Sequence, residues 1–297
     1  MPKRYRDVKG DGGSNIAGQV VEQRQRLQAR MAQIRSKVAV MSGKGGVGKS
    51  TITTNLALFF AREGFRVGVV DADLNGPSLA RMFGVRRQPL RIEEQGVLPA
   101  EGPLGIRLIS MDFFLGSDER PVVWEGPQAE SFLWRGTLEM QTLREFLADT
   151  QWGALDLLLI DLPPGIDRFS TLRDLLPDLQ GTVVVTIPSA VSHLVVLKAI
   201  TLAREILKAP LIGVVENMSG YLCPTCQQEG PLFPSARETM ARLGIPLLGQ
   251  IPFDPRLAEA ADQGIPYLLL HGDTPVGQAL GRVGEGVKSF LEEVNSV

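Results

Sequence analysis

The chain has 297 residues, 44% apolar and 22% charged, with a net charge of −2; at that length roughly three quarters of the unfolded surface can be buried, so a packed core needs no covalent staples. The 32 Gly and 20 Pro lie between elements rather than in repeats, which excludes a collagen-like or low-complexity chain. No uncharged apolar run reaches the 18 or so residues that span a bilayer, and two cysteines, Cys223 and Cys226, are too few for a disulfide framework, so a reducing, cytoplasmic address is expected.

Charge is uneven along the chain. Residues 1–37 hold nine Lys/Arg against three Asp/Glu, a net of +6, which leaves −8 on the rest. Residues 1–15 are polar and Gly-rich, without the apolar segment of a secretory signal. Ile16, Val20, Leu27, Met31 and Ile34 recur at near-helical spacing, so a leading helix is expected over 16–36. A +6 segment suits nucleic acid or an anionic membrane. With no aromatic beyond Tyr5 and an acidic body behind it, residues 1–36 read instead as a solvated arm and helix.

Lys37–Met41 (KVAVM) is a short β-rich run that stops at glycines. Gly43-Lys44-Gly45-Gly46-Val47-Gly48-Lys49-Ser50 matches GxxxxGK[ST] in full, between that strand and the helical stretch from Thr51. The chemistry needs these residue types. Glycines let successive backbone N–H groups converge on phosphate oxygens, and the helix N-terminus adds its positive dipole end. Lys49 neutralises β/γ-phosphate charge, and Ser50 offers an oxygen to Mg²⁺.

Arg66–Val70 is the next strand, followed by Asp71-Ala72-Asp73-Leu74-Asn75-Gly76-Pro77-Ser78. Two acids at i and i+2 past a strand end can face one phosphate region, one supporting hydrated Mg²⁺ and the other positioning the attacking water. Ile106–Met111 is a further strand. Leu155–Ile160 ends in Asp161-Leu162-Pro163-Pro164-Gly165, an apolar strand running into a carboxylate that can support Mg²⁺ through water. Thr182–Ile187, Leu211–Val215 and Leu247–Ile251 follow as strands. A closing amphipathic helix is expected over Pro275–Val294, its apolar side formed by Leu280, Val283, Val287, Phe290, Leu291 and Val294; its Glu-rich polar side disfavours anionic lipid. Continuous apolar strands alternating with helices predict an α/β fold, a mostly parallel sheet flanked by helices on both faces. The motifs fall at the C-terminal strand ends, where such sheets carry their sites.

After the 211–215 strand comes Glu216-Asn217-Met218-Ser219-Gly220-Tyr221-Leu222-Cys223-Pro224-Thr225-Cys226. A CxxC can be a redox dithiol, half a metal site or two free thiols. Zn²⁺ and Fe–S clusters usually take four ligands, and this chain has no third cysteine. Two copies related by a two-fold axis supply four thiolates.

The early lysine of the loop, in KGGVGKST with Asn55 downstream, resembles the deviant Walker A motif of the MinD/ParA/ArsA/NifH ATPases. That resemblance implies a homodimer in which Lys44 reaches the partner's phosphates, with Asp73 orienting water and Asp71 supporting Mg²⁺. The motifs SGKGGVGKST (42–51), DADLNGPS (71–78), WGALDLLLIDLPPG (152–165), ENMSGYLCPTC (216–226) and LGQIPFDP (248–255) together resemble the Mrp/ApbC family of P-loop ATPases, which are iron–sulfur cluster carriers or scaffolds. The resemblance implies a MinD-like P-loop ATPase domain over 37–297. It further implies bound ATP and Mg²⁺, a [4Fe–4S] cluster bridged between protomers by Cys223 and Cys226, and handover to apo-protein clients. Asn217 is then assigned to the nucleotide base, with Pro252 and Phe253 as walls of its pocket, and Gly43–Thr51 to the phosphates. Two other outcomes stay open at this level: a positioning ATPase that binds DNA or membrane, and a scaffold bridged by Zn²⁺. The chain departs from the family after LPPG, where Ile166-Asp167-Arg168 stand in place of the usual TGD.

Overall fold

Val38–Met41, Val67–Val70 and Leu157–Ile160 have no polar side chain on either face. Strands of that kind are stable only when covered on both sides. The computed structural model describes residues 16–115, 132–164, 169–188, 190–222, 225, 228–232 and 244–296. Among the described residues, nine strands form one sheet in the order β10-β9-β8-β1-β7-β2-β6-β5, with β11 also paired to β9. They are β1 (Ile34–Ser42), β2 (Val67–Asp71), β5 (Ala100–Glu101), β6 (Arg107–Ile109), β7 (Leu155–Asp161), β8 (Gly181–Thr186), β9 (Leu211–Leu222), β10 (Glu229–Pro231) and β11 (Leu247–Phe253). All pairings are parallel except the outer ones of β5 and β10. A small antiparallel pair, β3 (Arg91–Glu93) and β4 (Gly96–Leu98), stands apart.

Helices cover both faces. On one lie α1 (Ile16–Met31), α4 (Phe132–Asp149), α5 (Phe169–Leu175) and α6 (Ala190–Leu202), around a core that includes Leu27, Leu147, Trp152, Leu158 and Val214. On the other lie α2 (Lys49–Arg62), the short α3 (Leu79–Met82), α7 (Pro255–Gln263), α8 (Tyr267–His271) and α9 (Pro275–Asn295), around Val40, Phe60, Leu159, Val185 and Val283. Burying each such side chain contributes roughly 1.5–3 kcal/mol. Among the described residues, no helix is long and apolar enough to cross a membrane.

Several boundaries differ from the sequence expectation, each for a tertiary reason. The leading helix ends at Met31 rather than at residue 36. Ile34 pairs with Leu155, and the chain is already strand there, three residues before Lys37. Lys37, expected as an ordinary strand start, is buried, and its Nζ donates to Ile34 O (3.1 Å) and Asp178 Oδ2 (2.7 Å). The 106–111 strand shortens to Arg107–Ile109 because Ser110 Oγ accepts from Asp112 N and starts a 3₁₀ turn. The 211–215 strand continues to Leu222, since β8, β11 and β10 pair in turn along its length. The closing helix is capped by Thr274, whose side chain accepts from Gly277 N, with Pro275 in its first turn. Leu280, Val283, Val287 and Leu291 are buried as expected, but Val294 is 39% exposed.

Candidate functional site

The phosphate loop sits at the C-terminal end of β1, between Ser42 and the first residue of α2, Lys49. The expected helix start at Thr51 moves to Lys49, because Gly48 at φ +85° turns the chain directly into the helix. A side chain at Gly48 is doubly excluded: the left-handed backbone disfavours it, and a Cβ would run into the Asn217 amide. Gly46 is also left-handed, at φ +77°. Ser42 Oγ donates to Lys44 O (3.0 Å) and steadies the start of the loop. Among the described residues the Lys44 ammonium makes no ion pair. Beside the loop is a cleft of about 200 Å³, lined among others by Gly45, Lys49, Thr51, Asp73, Met82 and Pro164.

Register brings the acids together. In the parallel ladder Asp71 and Asp161 are partners, and Asp161 also pairs with Val40 at the end of β1. Asp161 is fully buried. Its Oδ2 lies 2.7 Å from Lys49 Nζ and accepts from Ser50 Oγ (2.7 Å), while Oδ1 accepts from Thr53 Oγ1 (2.6 Å). A buried carboxylate is tolerable only with such partners. Thr53 was not singled out from sequence, although it lies one helical turn past Lys49 and so on the same face of α2.

Asp71 is equally buried, and its Oδ2 accepts from Ser78 N (3.1 Å), Leu79 N (3.1 Å) and Ser110 Oγ (3.0 Å). This carboxylate folds the 71–79 segment back on itself, and Ser110 is a second residue that the motifs did not reveal. Asn75 Nδ2 donates to the buried Glu139 Oε1 on α4 (2.7 Å) and holds the same segment from outside. Asp73 is half-buried at the cleft, and its Oδ1 accepts from Gly76 N (3.3 Å).

Burial, and next to it the charge of Asp161, push the Asp71 carboxyl up to about 7, against the hydrogen bonds to Leu79 N and Ser110 and the charge of Lys49. Between its ordinary value near 3.8 and about 7, the folded chain therefore holds a proton that the unfolded chain has lost. Stability from this group is complete at acid pH and falls as pH rises through about 7. In metal-free protein, Asp71→Asn is expected to flatten that fall, because Asn keeps an acceptor for the two amides and has no charge to desolvate. Melting temperatures of the two proteins across about pH 5 to about pH 8 measure it; parallel curves would show that Asp71 is ionised throughout.

Mg²⁺ prefers oxygen donors. Ser50 Oγ and Asp161 supply adjacent ones, and Asp71 Oδ1 is buried with no hydrogen-bond partner, so the donor set fits that ion.

Asn217, assigned by resemblance to the base, is 4% exposed, and its Nδ2 donates to Val47 O (2.9 Å); the residue thus braces the loop from below. Next to it Met218 has φ +55°, and the register with β11 slips between Ile251 and Phe253. Pro252 is buried, and the exposed Phe253 ring stacks on Tyr221 with centroids 6.4 Å apart. Glu216, on the other face of β9, is fully buried and accepts from Gln250 Nε2 (2.6 Å). Asn55, part of the loop motif, is structural here: its Nδ2 donates to Thr51 O (2.8 Å), and its Oδ1 accepts from Leu268 N (3.1 Å), tying α2 to α8.

Residues 33–288 match the family described as ParA: NUBPL iron-transfer P-loop NTPase. The chain belongs to this family. An iron–sulfur cluster carrier protein of Saccharolobus solfataricus is 42% identical over 270 residues, covering 90% of this chain and 88% of the relative. A cytosolic Fe–S cluster assembly factor NUBP2 homolog of Dictyostelium discoideum is 35% identical, covering 89% and 96%. A nucleotide-binding protein of Archaeoglobus fulgidus, solved in complex with ADP, superposes with a TM-score of 0.69 at 35% identity, over 81% of this chain and 91% of that one. The cell division ATPase MinD of Pyrococcus furiosus, at 20% identity and a TM-score of 0.60, shares the fold over 86% of this chain and 98% of its own.

Within this iron-transfer NTPase, Cys223 and Cys226 lie outside the described residues, as do Gly165–Arg168 beyond Pro164. The strands that flank the cysteines are described. Leu222 pairs with Glu229 and Tyr221 with Gly230, so β9 runs without a break from Asn217 beneath the phosphate loop to the residue before Cys223. The extension of β9 beyond Val215 was not legible in the sequence, because its polar residues interrupt the apolar pattern.

Proposed function

We propose that this chain is an ATP-hydrolysing iron–sulfur cluster carrier of the cytoplasm. It works as a homodimer that binds a [4Fe–4S] cluster through Cys223 and Cys226 of each protomer and passes it to apo-proteins. The observation that carries the reading is the single strand β9, which contacts the phosphate loop through Asn217 and ends directly before Cys223. Nucleotide state at Val47 and the cysteine pair are then mechanically adjacent.

In this reading Gly43, Gly45, Gly46, Val47 and Gly48 present amides to the phosphates, with Lys49, Ser50 and Thr51 at the helix start. Ser50 and Asp161 hold Mg²⁺, supported by Asp71; the ion supplies charge neutralisation at the phosphates. Asp73 orients the attacking water. Lys44, left without an ion pair among the described residues, completes the site across the dimer. Asn217 contacts the base side of the nucleotide while bracing the loop, and Pro252 and Phe253 wall the base. The cluster is cargo: four thiolates from two chains match its ligand count.

Metal and sulfide analysis of anaerobically purified protein tests the assignment. Iron and sulfide at one cluster per two chains, transferable to an apo-protein, is the expected result. Zinc alone would instead indicate a bridged scaffold, and salt-sensitive DNA binding without a cluster a positioning ATPase. For Lys44→Ala, light scattering is expected to show loss of the ATP-dependent dimer, with hydrolysis reduced by at least about tenfold and ATP binding retained. Full turnover by a strictly monomeric Lys44→Ala protein would refute the shared site.

A further inference from the structure

On the sheet face opposite α2, helices α1, α4 and α5 enclose a second cleft, of about 650 Å³. Its walls carry Arg24, Arg144 and Arg173, above Leu27, Leu175 and Pro177. Among the described residues none of these three guanidinium groups has an ion pair or a hydrogen bond. Their neighbours on α1 are engaged: Arg26 pairs with Asp149 (3.4 Å), and Arg30 donates to Gln95 O (2.6 Å). Arg144 is half-buried, so its charge is partly stripped of water with no anion in return, which is costly unless a ligand supplies one. Among the described residues Asp174 is the one carboxylate in the lining. The cleft thus has an excess of two positive charges in a chain whose net charge is −2.

The lining also says which anion fits. Among the described residues no aromatic side chain lines the cleft to stack on bases, which single-stranded nucleic acid uses for much of its affinity. Inorganic phosphate would use the arginines and leave the apolar floor unused. A peptide that alternates carboxylates with aliphatic side chains uses both: carboxylates form forked pairs with guanidinium groups, and the exposed Pro177, beside the buried Leu27 and Leu175, meets the aliphatic groups. We propose that this cleft binds an acidic, leucine-bearing peptide segment of a protein partner. The cleft belongs to the α1 side of the core and the phosphate loop to the α2 side, so docking leaves the nucleotide cleft free and the inference stands apart from the cluster reading.

Fluorescence anisotropy of the full chain with a labelled synthetic Glu/Leu peptide tests it. The peptide is expected to bind at low salt, and the combined Arg24→Gln, Arg144→Gln and Arg173→Gln variant to bind it at least roughly tenfold more weakly, with ATP affinity unchanged. If that variant melts early, the exposed single variants Arg24→Gln and Arg173→Gln are read instead, each about threefold weaker. Equal binding by the folded variants, or equal binding of a Lys/Leu peptide, would overturn the proposal. Arginine-dependent displacement of the peptide by a single-stranded oligonucleotide or by inorganic phosphate at lower concentration would overturn it in favour of a polyanion or phosphate site.

Discussion

Lys49→Ala is expected to bind ATP at least about a hundredfold more weakly than the unsubstituted chain in titration calorimetry. Two losses act together. The ammonium no longer neutralises the β/γ-phosphates, a charge-assisted contact of about 1.5–3 kcal/mol. Asp161, fully buried with Lys49 Nζ 2.7 Å from its Oδ2, also becomes an unpaired carboxylate that repels the triphosphate. Removing one partner of a buried pair costs about 3–5 kcal/mol, so the single variant is destabilised as well. The double variant Lys49→Ala, Asp161→Asn separates the effects: its melting temperature recovers because no charge is orphaned, while ATP affinity stays low. Near-normal affinity in that folded protein would remove the phosphate loop from nucleotide binding.

The second large effect lies at the other end of β9. Cys223→Ser, purified anaerobically, is expected to carry iron only at background level and to bind ATP within about twofold of the unsubstituted chain. Serine keeps the shape, but its hydroxyl stays protonated near neutral pH and is a poor ligand for iron, whereas a thiolate is a good one. In the proposed dimer, one substitution per chain removes two of four ligands, so loss is nearly complete rather than graded. ATP binding persists because the phosphate loop touches β9 at Asn217, six residues before the substitution. Iron retained by the variant would locate the cluster elsewhere. Iron lost together with ATP binding would show that the cysteine loop supports the phosphate loop structurally.

The phosphate loop was the most legible part of the site, because its chemistry is local: eight consecutive residues carry both the backbone turn and the charges. The carboxylates were legible as strand-end acids, but not their division of labour. Asp161 meets Lys49, Ser50 and Thr53, and Asp71 instead binds the amides of Ser78 and Leu79 and the hydroxyl of Ser110. Lys49, Ser50 and Thr53 lie far from Asp161 in the chain, as Ser110 does from Asp71, so spacing carried no trace of them; Ser78 and Leu79 follow Asp71 closely, but only the folded 71–79 turn aims their amides at its carboxylate. Asn217 was legible as important, but its bond to Val47 O depends on β9 lying beneath a loop 170 residues earlier. The antiparallel edges β5 and β10 and the β3–β4 pair escaped notice, since two- and three-residue strands have no periodicity to read.

By itself the sequence determined the α/β class, the succession of apolar strands and the phosphate-binding loop. Each rests on interactions between residues close along the chain: turn chemistry, helix starts and runs of apolar side chains. Tertiary structure alone decided where the strands end, which carboxylate faces the lysine, how the phosphate loop is tied to the strand before the cysteines, and that three arginines from three helices share one cleft. Those outcomes depend on strand register and on helices meeting across the sheet, and such pairings are set by packing between distant segments rather than by the order of residues within any one of them.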